Sequence, residues 1–260
     1  VELRPGYREW APPAALRPAV SCLWTSVTGS GEPTLVLPDA CVDIIWLRDA
    51  GAFTAGPDTG PAPAVLPPGT MLVGVRLRPG AGGPALGMPL TELRDQRVNL
   101  ADVAPGVAPE LPGELTPGEA LSRLIAITTR LAAERPPDRL VSQAARLLAG
   151  SPQRAGSPQL ARPPRLARPP LRAGDLARDL GVSERQFRRR CLDATGYGPK
   201  MLDRVLRFRR FVSRIDAAAG RPDLARIAAE AGYADQAHLT RESVRLAGLP
   251  PAALARARRG

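Results

Sequence analysis

The sequence predicts an α+β chain in which a small β-rich N-terminal domain with trailing helices precedes an all-α C-terminal domain, two helix-turn-helix units joined by a long helix. Three observations predict it. Short runs of Val, Leu, Ile and Thr, broken by Pro, Gly and Asp, fill residues 20–78, which is the punctuation of strands and turns. Beyond residue 116, apolar residues recur at intervals of three and four, the helical period. A helix, a glycine turn and a capped second helix then occur twice, with the caps Ser183 and Asp235 lying 52 residues apart.

The 260 residues exceed the roughly 100–200 that one core usually serves, so two domains are expected, 1–137 and 138–260. With 44% apolar but only 4% aromatic residues, their cores must be built mainly from Leu, Val, Ile and Ala. No apolar run approaches the ~20 residues that span a bilayer. The opening Val1-Glu2-Leu3-Arg4-Pro5 lacks a signal peptide's apolar segment. A cytoplasmic location without a membrane partner is therefore expected.

The predicted strands are 20–27, 34–37, 42–47, 52–55 and 71–77, with Pro38-Asp39 turning one strand into the next. A cupin-like arrangement is among the forms open to this domain. The proline-rich stretch 57–68 is expected as a surface loop, because prolines break a hydrogen-bonded ladder. A helix should open at Pro117, carry Leu121, Leu124, Ile125, Thr128 and Leu131, and end before Pro136-Pro137. Packing on its own domain and dimerisation are both open to it. A further helix is expected over 138–149. The proline- and arginine-rich segment 150–170 shows no periodicity and reads as a flexible linker or insertion.

The net charge of +11 is uneven. Residues 1–137 hold 11 arginines against 14 acids, a net −3, while residues 138–260 hold 25 basic residues against 11 acids, a net +14. A basic module joined to a mildly acidic one points to a polyanion for the second half and another role for the first. Cys22, Cys41 and Cys191 form no metal-ligand spacing. They read as reduced, half-buried small hydrophobes, with a Cys22/Cys41 thiol switch as the alternative. The single histidine, His238, lies in the basic half, which excludes histidine-based triads and His-metal sites from the first. No cofactor and no catalytic residue are expected.

In the first repeat, Leu176, Ala177 and Leu180 form one apolar face, Gly181 closes the helix and Val182 fills the angle. Ser183 then caps a second helix, with Gln186 completing a capping box. Phe187 turns inward, leaving Arg185, Arg188 and Arg189 outward for a major groove. The second repeat matches Ser183 with Asp235, Phe187 with Leu239 and Arg189 with Arg241. Between them Pro199 opens a helix carrying Leu202, Val205, Leu206, Phe208, Arg209 and Val212. Some 20 residues would span about 30 Å, close to the ~34 Å between successive major grooves on one DNA face.

These residues resemble the AraC/XylS family of transcription regulators. The resemblance rests on Gly-Tyr-Gly-Pro-Lys at 196–200 with the Arg-Val-Leu-Arg-Phe-Arg-Arg-Phe that follows, on Ala-Gly-Tyr-Ala-Asp-Gln-Ala-His-Leu-Thr-Arg from 231, and on Ala-Gly-Leu-Pro-Pro at 247–251. It covers about residues 138–257. It implies base-edge contacts from Arg185, Arg188 and Arg189 in the first unit and from Gln236, Thr240 and Arg241 in the second. Lys200, Arg204 and His238 would position the readers or touch the DNA backbone. Cys191 stands where the family usually has phenylalanine, which implies looser packing of the first unit.

Residues 1 to about 105 resemble the sensory domain of a subgroup of these regulators, through Leu-Pro-Asp-Ala-Cys-Val-Asp-Ile-Ile-Trp at 37–46 and Gly-Val-Arg-Leu-Arg-Pro-Gly at 74–80. That subgroup often carries Gly at position 40, where this chain has Ala. Asp39, Asp43, Trp46, Arg76 and Arg78 are the candidate ligand-binding residues. For the acids and the tryptophan, turn formation and core packing stand beside ligand contact. The two arginines would bind an anionic effector or pair with Asp39 or Asp43.

The expected function is therefore sequence-specific regulation of transcription through double-stranded promoter or operator DNA. Partners are a small-molecule effector and RNA polymerase, and the protein would be a monomer or a homodimer. Two alternatives stand beside it. One is a DNA-repair alkyltransferase-like enzyme using a cysteine, which needs an activated thiol. The other is an architectural protein that binds all duplexes equally.

Overall fold

The computed structural model describes residues 6–29, 34–150, 173–218 and 222–258. Its N-terminal part contains the strands β1 (Gly6–Trp10), β2 (Val20–Val27), β3 (Thr34–Val36), β4 (Val42–Leu47), β5 (Gly51–Ala55), β6 (Ala62–Ala64), β7 (Met71–Leu77) and β8 (Arg97–Asn99). Six of them form an antiparallel sheet in the order β1-β2-β7-β4-β5-β8, while β3 and β6 pair separately. The helices here are α1 (Gly82–Leu86), α2 (Leu100–Val103) and α3 (Pro117–Glu134).

Side-chain alternation decides what each face of the six-stranded sheet does. Val42, Ile44 and Trp46 of β4 and Val73, Val75 and Leu77 of β7 point to one face, where Leu124, Ile127 and Leu131 of α3 cover them. Thr116 caps α3 in a reciprocal capping box with Glu119, satisfying two backbone donors that the helix start would otherwise leave free. The opposite face carries Cys22, Trp24, Ile45 and Leu72. Trp24 lies flat across Gly74, where a Cβ would fall 2.2 Å from the indole Cε2. Only glycine at 74 leaves room for it.

The C-terminal part is all helical: α4 (Arg139–Leu148), α5 (Ala173–Asp179), α6 (Glu184–Thr195), α7 (Pro199–Asp216), α8 (Leu224–Ala231), α9 (Gln236–Ala247) and α10 (Pro251–Ala257). One continuous core runs through all of them, from Val141 and Leu148 of α4 through Phe187, Leu202, Phe208 and Phe211 to Leu239 and Leu254. The segment read as a linker lies, from residue 151 onward, outside the described residues.

Strands β2, β4 and β7 have the expected limits. Two corrections arise. Strands β1, β6 and β8 were not foreseen. The stretch 57–68 is not wholly a surface loop, since Pro63 sits in β6 opposite Leu35, and Gly56, Pro57 and Asp58 are buried. A proline is tolerated in β6 because the two-stranded ribbon consists only of edges.

Candidate nucleic-acid interface

The first unit pairs α5 with α6. Leu176 and Ala177 are buried, and Gly181, at φ 70°, turns the chain. Ser183 and Gln186 then form the reciprocal capping box that starts α6. Phe187 and Cys191 point into the core, both with no exposed surface. Arg185, Arg188 and Arg189 lie on the solvent side of the same helix. This partition follows from the 3.6-residue period, which puts residues 187, 191 and 194 on one face.

The second unit repeats the plan with α8 and α9. Asp223 caps α8, Gly232 turns the chain at φ 91°, and Asp235 caps α9 by accepting from the His238 amide. Its turn, 232–235, has four residues like 180–183 of the first unit, but the left-handed glycine stands first rather than second, and Tyr233 is buried. Leu239 occupies the core position that Phe187 holds in the first unit. Gln236 and Arg241 are exposed, whereas the Thr240 hydroxyl donates back to the Gln236 carbonyl at 2.8 Å. His238 stands edge-on to Tyr233, with ring centroids 5.2 Å apart.

The 18 residues of α7 make a rod of about 27 Å. Leu202, Val205, Leu206, Phe208, Phe211 and Ile215 form its buried stripe, and Val212 packs at the margin. Phe211 touches Phe208 on one side and meets Tyr233 edge-on at 6.3 Å on the other. Polar side chains reinforce this seam. Arg204 Nε lies 2.8 Å from Glu242 of α9, and Arg207, paired with Asp203, sits over the Tyr233 ring. Arg204 is thus occupied in holding the second unit to the rod.

A basic groove opens between the units, lined by Arg185, Arg188 and Arg189 of α6, Lys200 and Arg204 of α7, and Arg245 of α9. Sequence reasoning missed Arg245. Its signal was present, since it stands four residues after Arg241 on the same helix and so on the same face. Glu184 contributes the one carboxylate of the lining, so the groove carries a surplus of positive charge suited to phosphates.

The candidate ligand residues fall into separate places. Arg76 lies 3.2 Å from Asp43, 3.4 Å from Asp39 and 3.3 Å from Glu9, and Trp24 Nε1 donates to Asp43 at 2.8 Å. Desolvation pushes the Asp43 carboxyl up to about 6, against the lowering effect of Arg76. Trp46 points to the opposite face, fully buried, with its Nε1 donating to the Pro112 carbonyl at 2.7 Å. Arg78 donates to the carbonyls of Arg17 and Val20 at 2.8 and 2.9 Å. Three of the five residues form one ion-paired cluster, in which Glu9 joins Asp39 and Asp43 around the single Arg76 guanidinium, and two serve packing and chain tethering.

All three cysteines are free and buried. Burial pushes the Cys22 and Cys191 thiols up to about 12 and raises Cys41 as well. An activated cysteine needs the opposite shift. Among the described residues no group of His, Cys, Asp and Glu could hold a metal ion, and no helix is long and apolar enough to cross a membrane.

Two family models match separate parts of the chain. Residues 8–99 match a family described as a domain of unknown function (DUF6597), and residues 176–257 match the helix-turn-helix domain family. No curated protein matches. Among solved structures, an apo variant of ToxT from Vibrio cholerae strain SCE256 aligns with 12% identity over 90% of this chain and 96% of its own, at a TM-score of 0.46. ToxT from Vibrio cholerae O395 aligns with 11% identity over the same shares, also at 0.46. Wild-type ToxT of strain SCE256 with bound unsaturated fatty acid reaches 0.41 at 12% identity, over 86% and 93%. Residues 176–257 are thus similar to a helix-turn-helix domain, and the two capped helix pairs of this region are two copies of that motif.

Proposed function

We propose that α6 and α9 are recognition helices that enter two adjacent major grooves of a promoter duplex. Residues 138–260 would form the reading domain and residues 1–137 the domain that controls it, through a small-molecule effector or through self-association. The observation that carries this reading is the repeat itself. Two capped helices with exposed polar faces stand on one rod whose ~27 Å length approaches the ~34 Å groove repeat. Arg185, Arg188, Arg189, Gln236, Thr240 and Arg241 are assigned to base edges, and Lys200, His238 and Arg245 to the backbone. Arg204 positions the second unit through Glu242.

The Arg76 cluster argues against a simple anionic effector there, because such a ligand would have to displace Asp39, Asp43 and Glu9 from one guanidinium. The experiment is selection of duplexes from random sequence by the full-length protein, followed by binding of Arg188→Ala. A bidentate guanine contact predicts a loss of about 1–3 kcal/mol on the selected duplex and a smaller loss on random DNA. Equal losses on both would reduce Arg188 to a phosphate contact. Failure to enrich any sequence would favour a non-specific architectural role.

A further inference from the structure

The two exposed helices end in the same way, on Gly196 and Gly248, 52 residues apart, with φ of 71° and 69°. Both glycines lie against one loop of the N-terminal domain, residues 56–61. A Cβ on Gly196 would fall 2.7 Å from Pro57 Cγ and 2.8 Å from the Leu90 carbonyl oxygen, and one on Gly248 would lie 3.7 Å from Pro61 Cγ. Gly60, between those prolines, approaches the Arg245 carbonyl, the last turn of α9. The Tyr197 hydroxyl donates to the Asp58 carbonyl, and Arg94 Nη1 reaches the Gly196 carbonyl at 3.5 Å.

The loop is firmly tied to its own domain. Arg97 of β8 grips the Asp58 carboxylate with both terminal nitrogens, at 2.8 and 2.7 Å. Asp95 accepts from the Thr59 amide at 2.6 Å and from its hydroxyl at 3.0 Å. The Gly56 amide donates to the Gln96 carbonyl at 3.0 Å, and the Asp95 amide to that of Pro57 at 3.1 Å. Segment 93–97 and loop 56–61 therefore move as one piece, and that piece bears on the C-terminal ends of both α6 and α9.

We propose that loop 56–61 is a spacer through which the N-terminal domain sets the distance between the two recognition helices, and hence the half-site spacing that the protein accepts. This rests on the reading of α6 and α9 as recognition helices. A change in the N-terminal domain that shifts β8 moves the loop against Gly196, where it is tight, more than against Gly248, where it is loose, and so alters the separation of the two helix ends. By linkage a DNA site of fixed spacing biases the loop in return. Asp58, Arg97 and Tyr197 are positioning residues in this scheme and touch no DNA.

The test uses the full-length protein and a duplex it selects from random sequence, with three derivatives: one half-site scrambled, one base pair inserted between half-sites, and one removed. Arg97→Gln releases the Asp58 fork, and Tyr197→Phe removes only the hydroxyl and keeps the ring in the core. Each variant is first shown to be folded by circular dichroism. If Arg97→Gln does not fold, Tyr197→Phe carries the test.

The expected result is wild-type affinity for the single half-site together with a loss of at least about fivefold in discrimination between correct and altered spacing, the lower end of ordinary coupling. A folded variant with wild-type spacing discrimination overturns the proposal, and so does an equal loss on every duplex. If the wild-type protein enriches no duplex, the reading of α6 and α9 falls as well. Enrichment with unchanged discrimination sinks the spacer alone.

Discussion

Replacing Gly83 by alanine tests whether the two domains are seated as described. Gly83 lies in α1, and a Cβ there would fall 2.4 Å from the Asp193 carbonyl oxygen and 3.1 Å from the Ala194 Cα, both backbone atoms of α6. An ordinary contact begins near 3.4 Å, so α1 and α6 must part by up to about 1 Å, and no rotamer change can absorb it. Overpacking of this kind costs about 1–3 kcal/mol, and a collision with helix backbone belongs at the upper end. Against it stands the gain of up to about 1 kcal/mol from removing a glycine within a helix. The balance is a loss of about 2 kcal/mol, or roughly 4–8 °C in melting temperature for a chain of this size. Gly118, in the first turn of α3 with nothing within 4 Å of its would-be Cβ, supplies the control, and Gly118→Ala should be neutral or stabilising. Thermal unfolding of both variants decides the matter. A Gly83→Ala protein that melts above wild type would mean that α1 and α6 are not in contact in solution.

Three further outcomes are expected. The Asp43 carboxyl, raised from 3.8 to about 6, favours the protonated form, so its contribution to stability is fully present below about pH 4 and is lost as pH rises through 6. Asp43→Asn should flatten that slope in urea titrations, and an Asp43 NMR titration midpoint below 4 would contradict it. With thiols pushed to about 12 and buried, native-state alkylation at pH 8 should run at least about a hundredfold slower than in denaturant. Arg204 and Glu242, 23% and 13% exposed, should show a coupling of about 1–3 kcal/mol in a cycle of Arg204→Met and Glu242→Gln, between the values for surface and buried pairs. A coupling near zero would leave the seam to Phe211 and Tyr233 alone.

The C-terminal units were legible because their signals are local. Ser183 with Gln186, Gly181, Pro199 and the spacing of Phe187 and Cys191 each report a cap, a turn or a face within one helical period. The N-terminal strands β2, β4 and β7 were legible for the same reason, being long and β-branched. Strand β1, Gly-Tyr-Arg-Glu-Trp, lacks alternation because all five residues are exposed, and only its pairing with β2 makes it a strand. The ligand candidates failed to gather because sequence neighbours on a strand point to opposite faces. Trp46 therefore faces α3 while Asp43 faces Trp24. Nothing local to residues 56–61 shows that they meet Gly196 and Gly248, because those contacts span more than a hundred residues.

Ala40 stands at φ 65°, the position at which the resemblance drawn from the sequence leads to glycine being expected. Its methyl is 3% exposed, and that burial, about 0.8 kcal/mol, offsets most of the left-handed strain of about 1–2 kcal/mol. Cys191 is fully enclosed by its neighbours, although it is smaller than the phenylalanine expected at that position.

The single core that threads both units has an evolutionary corollary. Arg185, Arg188, Arg189, Gln236 and Arg241 are exposed and add nothing to that core, so substitutions there leave the scaffold intact and, under the proposed assignment to base edges, change which sequence is recognised. The seating of the units on α7 is written into the buried Leu206, Phe211, Tyr233 and Leu239, whose exchange would endanger folding itself, and only the fine adjustment of their distance is left to loop 56–61. Descendants of such a protein can drift readily in the letters they read, and only with difficulty in how far apart those letters stand.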